Sequence, residues 1–159
     1  MKNERGLSLI GTILLMIVIG LLVFGVVYFV RIQYAKERFE DLKTNMLLVQ
    51  AKVKTIVGEY TLSKKEEKLV GTPIKEMQEE ENIKTFLEKN NIDIEEKNSK
   101  YYVLNGQNLQ DMELKKVILP ENTYYIVNYT SYEVFITNGF TYSDGNTYYS
   151  LTQIQELGT

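Results

Sequence analysis

The stretch RGLSLIGTILLMIVIGLLVFGVVYFV, residues 5–30, decides how this chain must fold, because it contains a long apolar run. From Leu7 to Val30 no side chain carries a charge. A helix of that length reaches roughly 36 Å, at about 1.5 Å per residue, which is enough to cross a hydrocarbon core of roughly 30 Å. The sequence therefore predicts a membrane-spanning helix over residues 7–30.

A cleaved secretory signal peptide is the main alternative for an apolar run near an N-terminus. Such a peptide has about 7–15 apolar residues followed by a cleavage site of small residues. Here the run is longer and ends in VVYFVRIQYAKERFE, residues 26–40, which offers no site of that kind. We therefore expect the span to be retained in the mature protein.

The charges that flank the span do not decide its orientation. Lys2 and Arg5 precede it, while Arg31, Lys36 and Arg38 follow it. The positive-inside rule compares Lys and Arg on the two sides, and here the two sides are nearly balanced.

Composition excludes several classes of function for what remains of the 159 residues. After the span there is room for one small domain. The chain has no Cys and no His, which removes disulfides, thiolate sites, cysteine nucleophiles and the usual general base. A net charge of −3 argues against nucleic acid as a direct partner. We therefore expect no enzyme, no cofactor and no metal site.

Apolar side chains continue beyond Val30 along one side of a second helical segment. They recur at intervals of three and four residues, which places them on one face of a helix. No Pro interrupts the pattern, and Gly58 is the first plausible stop signal. The sequence predicts one continuous helix over about 7–57, whose amphipathic part is residues 31–58. The apolar positions of this stripe are Ile32, Ala35, Phe39, Leu42, Met46, Val49, Val53, Ile56 and Tyr60.

Two kinds of surface could cover this apolar stripe. The stripe could pack on the C-terminal domain of its own chain, which the small predicted sheet favours. Alternatively, it could form a coiled coil with another copy, because intervals of three and four fit a heptad. About four heptads are present and their charge pairing is irregular, so the first interpretation is preferred.

Residues 59–159 predict a small α+β domain. Thr72-Pro73 resembles a helix start, with Thr as the cap and Pro at the first helical position. One or two short helices are expected after it, through Met77 and Phe86-Leu87, ending near Asn90-Asn91.

The pattern changes to strands from Lys100 onward. YYVL at 101–104 predicts a short strand, NLQDMEL at 108–114 a helical turn or two, and LTQIQEL at 151–157 a last helical turn. Two hairpins are predicted, one turning at Thr130-Ser131 and one at Asp144-Gly145, where a tight turn needs positive φ. The expected fold is α+β, a long N-terminal helix packed on a small antiparallel sheet with short helices.

No cluster of side chains predicts a site convincingly. Asp93 with Glu95 and Glu96, and Asp144 with Asn146, do not match calcium-loop spacing, so ordinary acidic turns explain them better. The 12 tyrosines lie mostly in the last third of the chain and could stack on sugars. Cross-strand aromatic pairing in a thin sheet is the preferred explanation.

The residues RGLSLIG resemble the leader and first mature residues of type IV pilins and type II secretion pseudopilins. In that family a basic leader ends in Gly, a prepilin peptidase cuts on the cytoplasmic side, and the new N-terminus is methylated. The resemblance implies a leader of residues 1–6, cleavage between Gly6 and Leu7, and N-methylation of Leu7. Ser8, Leu9 and Ile10 fit the family's S/T-L-I pattern.

The resemblance extends beyond the leader motif. One helix, half membrane-spanning and half amphipathic, joined to a small α+β head, is the pilin architecture. The Tyr-rich segments IVNY, EV, GFTY and YYSL, between residues 126 and 151, are similar to those of small pilin-like proteins of Gram-positive bacteria.

Gly11 departs from the family pattern, because most members carry Glu at this fifth mature position. A carboxylate there could neutralise the N-terminal ammonium of a neighbouring subunit inside the membrane, where an unpaired charge is costly. The departure fits a minor or tip-located subunit, or a pilin-like protein that is processed but not assembled in bulk.

The resemblance implies a minor pilin or pseudopilin of a type IV pilus or a type II secretion-like assembly. Its partners would be the membrane, prepilin peptidase, other pilin-like subunits and the assembly machinery. The protein would be a single-pass protein of the cell membrane or part of a surface filament, with the N-terminus cytoplasmic and the head extracellular. The alternative is a single-pass, membrane-anchored extracellular binding domain that forms no filament.

Overall fold

The computed structural model describes the backbone of residues 4–63, 69–94 and 100–157, and side chains from Leu9 onward within those ranges. It divides into two compact units, residues 1–40 and residues 41–159. One helix, α1 (Glu4–Ser63), contributes to both units. The division between the two units falls within the part of the helix that was predicted to be amphipathic, residues 31–58.

The first unit is the apolar part of α1. Its side chains from Leu9 to Val30 are almost all exposed, although most of them are Leu, Ile, Val, Phe and Met. By length and composition this helix could cross a membrane. A single long apolar helix near the N-terminus is compatible with a single-pass membrane anchor. Ile32 and Ala35, at the start of the predicted stripe, are also exposed.

The prediction that α1 stops at Gly58 is wrong, since the helix continues to Ser63. Gly lowers helix stability without forbidding helix, so surrounding residues decide whether the helix ends there. Here two hydroxyls bond carbonyls of the last turns: Thr61 Oγ1 donates to Val57 O at 2.8 Å, and Ser63 Oγ donates to Tyr60 O at 3.4 Å.

The second unit contains a five-stranded antiparallel sheet in the order β1-β2-β3-β4-β5. Each strand therefore lies beside the one that precedes it in the chain. The α+β prediction is confirmed. The strands are β1 (Thr72–Pro73), β2 (Tyr101–Leu104), β3 (Tyr125–Asn128), β4 (Val134–Thr141) and β5 (Thr147–Ser150).

The predicted helix start at Thr72-Pro73 is wrong. Thr72 pairs with Val103 and Pro73 pairs with Tyr102, so the two residues form an edge strand. Pro is tolerated there because an edge strand leaves one side of its backbone without a ladder partner. A short 3-10 turn, Ile74–Glu76, follows directly after Pro73.

Three short helices complete the second unit: α2 (Glu81–Asn90), α3 (Gly106–Asp111) and α4 (Leu151–Glu156). Helix α2 ends at Asn91, which adopts a left-handed conformation with φ 49°. Helices α3 and α4 start with reciprocal caps at Asn105 and Ser150, in which side chain and backbone bond each other. All three lie where the sequence predicted helical turns.

Helix α1 packs on the sheet of the second unit through its buried side. Met46, Val49 and Val53 are completely buried there. Polar bonds fix the same contact: Gln50 Nε2 donates to Tyr132 O at 3.0 Å, and Lys100 Nζ donates to the Tyr60 hydroxyl at 3.2 Å. The stripe is therefore covered by its own chain from about residue 46 onward, as preferred from the sequence.

Helix α2 contributes to a second apolar cluster against the sheet. The buried members of this cluster are Ile74, Ile83, Phe86, Val103 and Ile126. The Phe86 ring meets the rings of Phe135 and Tyr149 edge-on, with centroids 5.6 and 6.1 Å apart. Edge-to-face pairs of this kind add stability beyond simple burial.

The hairpin between β4 and β5 turns at Asp144-Gly145, as predicted. Gly145 has φ +82°, and its N–H donates to Tyr142 O at 3.0 Å. The register of the two strands shifts between Phe135 and Phe140, and Gly139 lies within that irregularity with φ +62°. A Cβ at Gly139 would lie 2.8 Å from Cε1 of Tyr149, so the tyrosine ring covers the glycine.

Candidate assembly surface

The outer face of α1 in the second unit is the side of the helix opposite its buried side. Buried Val53 and exposed Thr55 are two residues apart, which at 3.6 residues per turn turns their side chains about 160° away from each other. Every residue of this outer face is exposed and none is charged. The outer face consists of Thr44, Leu47, Leu48, Ala51, Thr55, Gly58 and Leu62.

An uncharged outer face is unusual for a helix that already covers a sheet. The side away from the core normally carries charged and polar residues. Leu48 is 44% exposed and Leu62 is 89% exposed. The nearest charged side chains, Lys54 and Glu59, lie at the margins of the face. The helix therefore presents a second uncharged surface in addition to the buried one.

The Thr55 hydroxyl on the outer face already has a partner within the helix. Thr55 Oγ1 donates to Ala51 O, one turn earlier, at 3.1 Å. The methyl group of Thr55 is therefore the part of this exposed side chain that is available for contact with another surface. Ala51 and Gly58 have small or absent side chains, and a Cβ at Gly58 would meet nothing within 4 Å. Small residues at helical spacing let another helix approach closely.

The residues of the predicted leader motif lie at the start of α1. Gly6 and Leu7 are in its first turn, where the structure describes the backbone and not the side chains. Gly11 lies in the same helix, and a Cβ at this position would meet nothing within 4 Å. The chain itself therefore has room for a larger side chain there.

Among the residues that the structure describes, no group of acidic side chains comes together as a cation site. Glu95 and Glu96 lie outside the described residues, so only Asp93 of that group can be placed. Asp144 is used within its own turn. Its Oδ1 accepts from Asn146 N at 2.9 Å, and its Oδ2 accepts from the Tyr148 hydroxyl at 2.6 Å. The pKa of Asp144 lies below its ordinary value, chiefly because its carboxylate accepts the hydrogen bond from the Tyr148 hydroxyl.

The tyrosines are distributed between packing and hydrogen bonding rather than gathered on one platform. Tyr125 and Tyr129 are buried, and burial raises the pKa of each to about 12. The Tyr102 and Tyr129 rings meet edge-on with centroids 5.2 Å apart. Tyr149 covers Gly139 in the last hairpin. For these residues, packing between aromatic rings explains the clustering of tyrosines in the sequence better than stacking on sugars does.

The residues Asn128-Tyr129-Thr130 match the acceptor pattern for N-glycosylation, but the asparagine is buried. Asn128 Oδ1 accepts from the backbone N–H groups of Thr130 at 2.8 Å and Ser131 at 3.3 Å. The side chain therefore closes the turn between β3 and β4 and is not presented to solvent.

The outer face also has a signal in the sequence, although that signal is weaker than the apolar stripe. Thr44, Leu48, Ala51, Thr55 and Gly58 recur at intervals of four and three, as the buried stripe does. Small and hydroxyl residues do not stand out as an apolar pattern, and only the buried side of the helix was predicted.

Comparison with models of protein families, with curated proteins and with solved structures finds no match to this chain.

Proposed function

We propose that this protein is a minor pilin or pseudopilin, processed by a prepilin peptidase and assembled with other pilin-like subunits. The proposal takes its leader motif from RGLSLIG and its membrane segment from the apolar part of α1. In this account the protein has a structural role, with the N-terminus cytoplasmic and the head extracellular.

The outer face of α1 is the observation that carries the proposal. An anchored domain that acts alone gains nothing from an uncharged helix face opposite its core. In an assembly, such a face permits close packing between the helices of neighbouring subunits. Ala51 and Gly58 supply the close approach, and Leu48 and Leu62 supply apolar area to bury.

The absence of Glu at position 11 favours a minor subunit. A Glu at this depth could pair with the N-terminal ammonium of a neighbour, and Gly11 offers no such charge. Assembly would then depend on partner subunits that supply their own counter-charge. The same absence is what an anchored extracellular binding domain, the second candidate, would show.

Placing a charge on the outer face tests the proposal. Thr55→Asp puts a carboxylate in the centre of the uncharged face, and Lys54→Asp puts one at its margin as a matched control. We expect Thr55→Asp to reduce the fraction of protein in sheared surface filaments about tenfold, because a desolvated unpaired charge costs well over 1.4 kcal/mol. Lys54→Asp should reduce it far less.

Two results would contradict the assembly proposal. One is a wild-type protein that never enters sheared filaments in cells with an active assembly system. The other is equal behaviour of the Thr55 and Lys54 variants. Either result would leave the anchored extracellular domain as the better account.

A further inference from the structure

A basic loop follows α3, with one large apolar side chain pointing into solvent. The loop comprises residues 115–119, in which Lys115 and Lys116 are exposed and Ile118 is 81% exposed. Its position is fixed by buried Val117, whose N–H donates to Leu114 O at 3.0 Å. An aliphatic side chain held this far out of the core, two residues after a pair of lysines, marks a contact surface better than a packing defect.

An acidic groove of about 620 Å³ lies beside this loop. Asn122 lines the groove and follows Ile118 by four residues, at most about 14 Å of chain. The Asn82 side chain donates to Asn122 O at 3.0 Å, which ties the groove to the chain that leaves the basic loop. The groove is lined chiefly by Glu76, Met77, Glu79, Glu80, Glu81 and Asn122.

The two surfaces do not neutralise each other within one molecule. Within the described residues, neither lysine of the loop nor any glutamate of the groove forms an ion pair. The ion pair next to the loop is Lys52 Nζ with Glu113 Oε2 at 3.1 Å, which uses neither surface. Opposite charges that lie side by side and stay unpaired are complementary to the same surfaces of another copy.

We propose that the basic loop of one molecule docks in the acidic groove of a second copy of this chain. Ile118 supplies the apolar contact, with Met77 in the groove, and the lysines face the glutamates. Because loop and groove are neighbours, a two-fold rotation forms both contacts at once, as in an isologous dimer. This contact uses a different surface from the outer face of α1. Its failure would therefore leave the proposed processing and helix packing untouched.

Cysteine cross-linking of the full-length chain in neutral lipid nanodiscs, two copies to a disc, tests the contact directly, because the natural chain has no Cys. Copies carrying Ile118→Cys are mixed with differently tagged copies carrying Glu79→Cys. Ser143→Cys, at the exposed tip of the last hairpin, replaces Glu79→Cys in the control mixture. We expect the first mixture to give about tenfold more mixed disulfide dimer than the control.

Charge reversal gives a second readout with the same proteins. K115E/K116E in the Ile118→Cys copy and E80K/E81K in the Glu79→Cys copy, introduced separately, should each lower the yield. Introduced together, on opposite partners, they should restore it. Salt should lower the yield of the mixture of Ile118→Cys and Glu79→Cys copies, because charges beyond about 10 Å are screened at 0.1 M.

Two outcomes overturn the proposal. One is a yield no higher than the Ser143 control. The other is protein that stays uncross-linked but binds vesicles of anionic phospholipid through Lys115 and Lys116, which would make a lipid surface the partner of the loop.

Discussion

The hydroxyl of Tyr129 both accepts a hydrogen bond from Val70 N, at 3.2 Å, and donates one to Val70 O, at 2.8 Å. One side chain thus satisfies both backbone groups of a residue 59 positions away. Tyr129 follows β3 and Val70 precedes β1, so the pair fastens the chain entering the edge strand to the middle of the sheet.

Removing this hydroxyl should destabilise the second unit. In Tyr129→Phe both backbone groups of Val70 lose their partner while the ring stays in place. We expect the free energy of unfolding to fall by about 1–3 kcal/mol. Urea unfolding followed by near-UV circular dichroism measures the change. Tyr101→Phe is the control, since its hydroxyl makes no recorded hydrogen bond within the described residues; equal losses in both variants would contradict the role of the Val70 bonds.

Alkaline pH should weaken the fold through Tyr125 and Tyr129. Burial raises the pKa of each from its ordinary value of 10.0 to about 12, so the folded state favours the neutral phenol. The stabilisation is fully present below about pH 10 and is lost as the pH rises through about 12. Urea midpoints measured from about pH 8 to pH 12 should fall over that window. In Tyr129→Phe the fall should be shallower, and an unchanged slope would show that Tyr129 does not contribute.

A charge on the buried side of α1 should unfold the second unit, whereas one on the outer face should not. Val53 is completely buried, so Val53→Asp should cost several kcal/mol and abolish a cooperative thermal transition. Thr55→Asp, two residues later and exposed, should change stability by about 0.5 kcal/mol or less. Thermal melts of the two full-length variants in detergent compare them. A cooperative melt for Val53→Asp would mean that the sheet does not depend on α1.

Gly139 and Gly58 should respond oppositely to the same substitution. At Gly139, with φ +62°, a Cβ would lie 2.5 Å from Cγ2 of Thr147, so Gly139→Ala should cost about 1–3 kcal/mol. At Gly58 a Cβ meets nothing, and Gly58→Ala should raise helix stability by about 1 kcal/mol. Chemical denaturation measures both. A neutral Gly139→Ala would contradict the packing of Tyr149 across that position.

The sequence predicted the fold where local and long-range requirements agree. The strand at residues 101–104, the hairpin at Asp144-Gly145 and the end of α2 at Asn91 follow from alternation and turn chemistry alone. Thr72-Pro73 was misassigned because its pairing with Val103 and Tyr102 is tertiary, and a Pro that starts a helix also suits an edge strand.

The candidate surfaces were harder to predict than the fold. The outer face of α1 combines residues of weak hydrophobicity, and its meaning depends on knowing which side of the helix is buried. The basic loop depends on Val117 pointing inward and Ile118 outward, which no short pattern fixes. The leader motif, by contrast, is read directly from Gly6 and the apolar residues that follow it.

Restoring a carboxylate at position 11 should increase assembly if its absence limits this subunit. Gly11→Glu places the side chain where a Cβ meets nothing within 4 Å of the chain. We expect a larger fraction of the variant in sheared surface filaments than of wild type. Gly11→Gln is the matched control because it has the same size without the charge. Equal gains for Glu and Gln would assign the effect to helix stability rather than to charge.

The mass of the mature N-terminus tests the central claim most directly. Intact-mass spectrometry of protein purified from cells with an active prepilin peptidase should show a chain that begins at Leu7 and carries one added methyl group. Gly6→Val should retain the leader, because a Cβ at the cleaved bond blocks close approach of the peptidase. Wild-type protein that keeps residues 1–6 in such cells would contradict the pilin account and leave an anchored extracellular domain in its place.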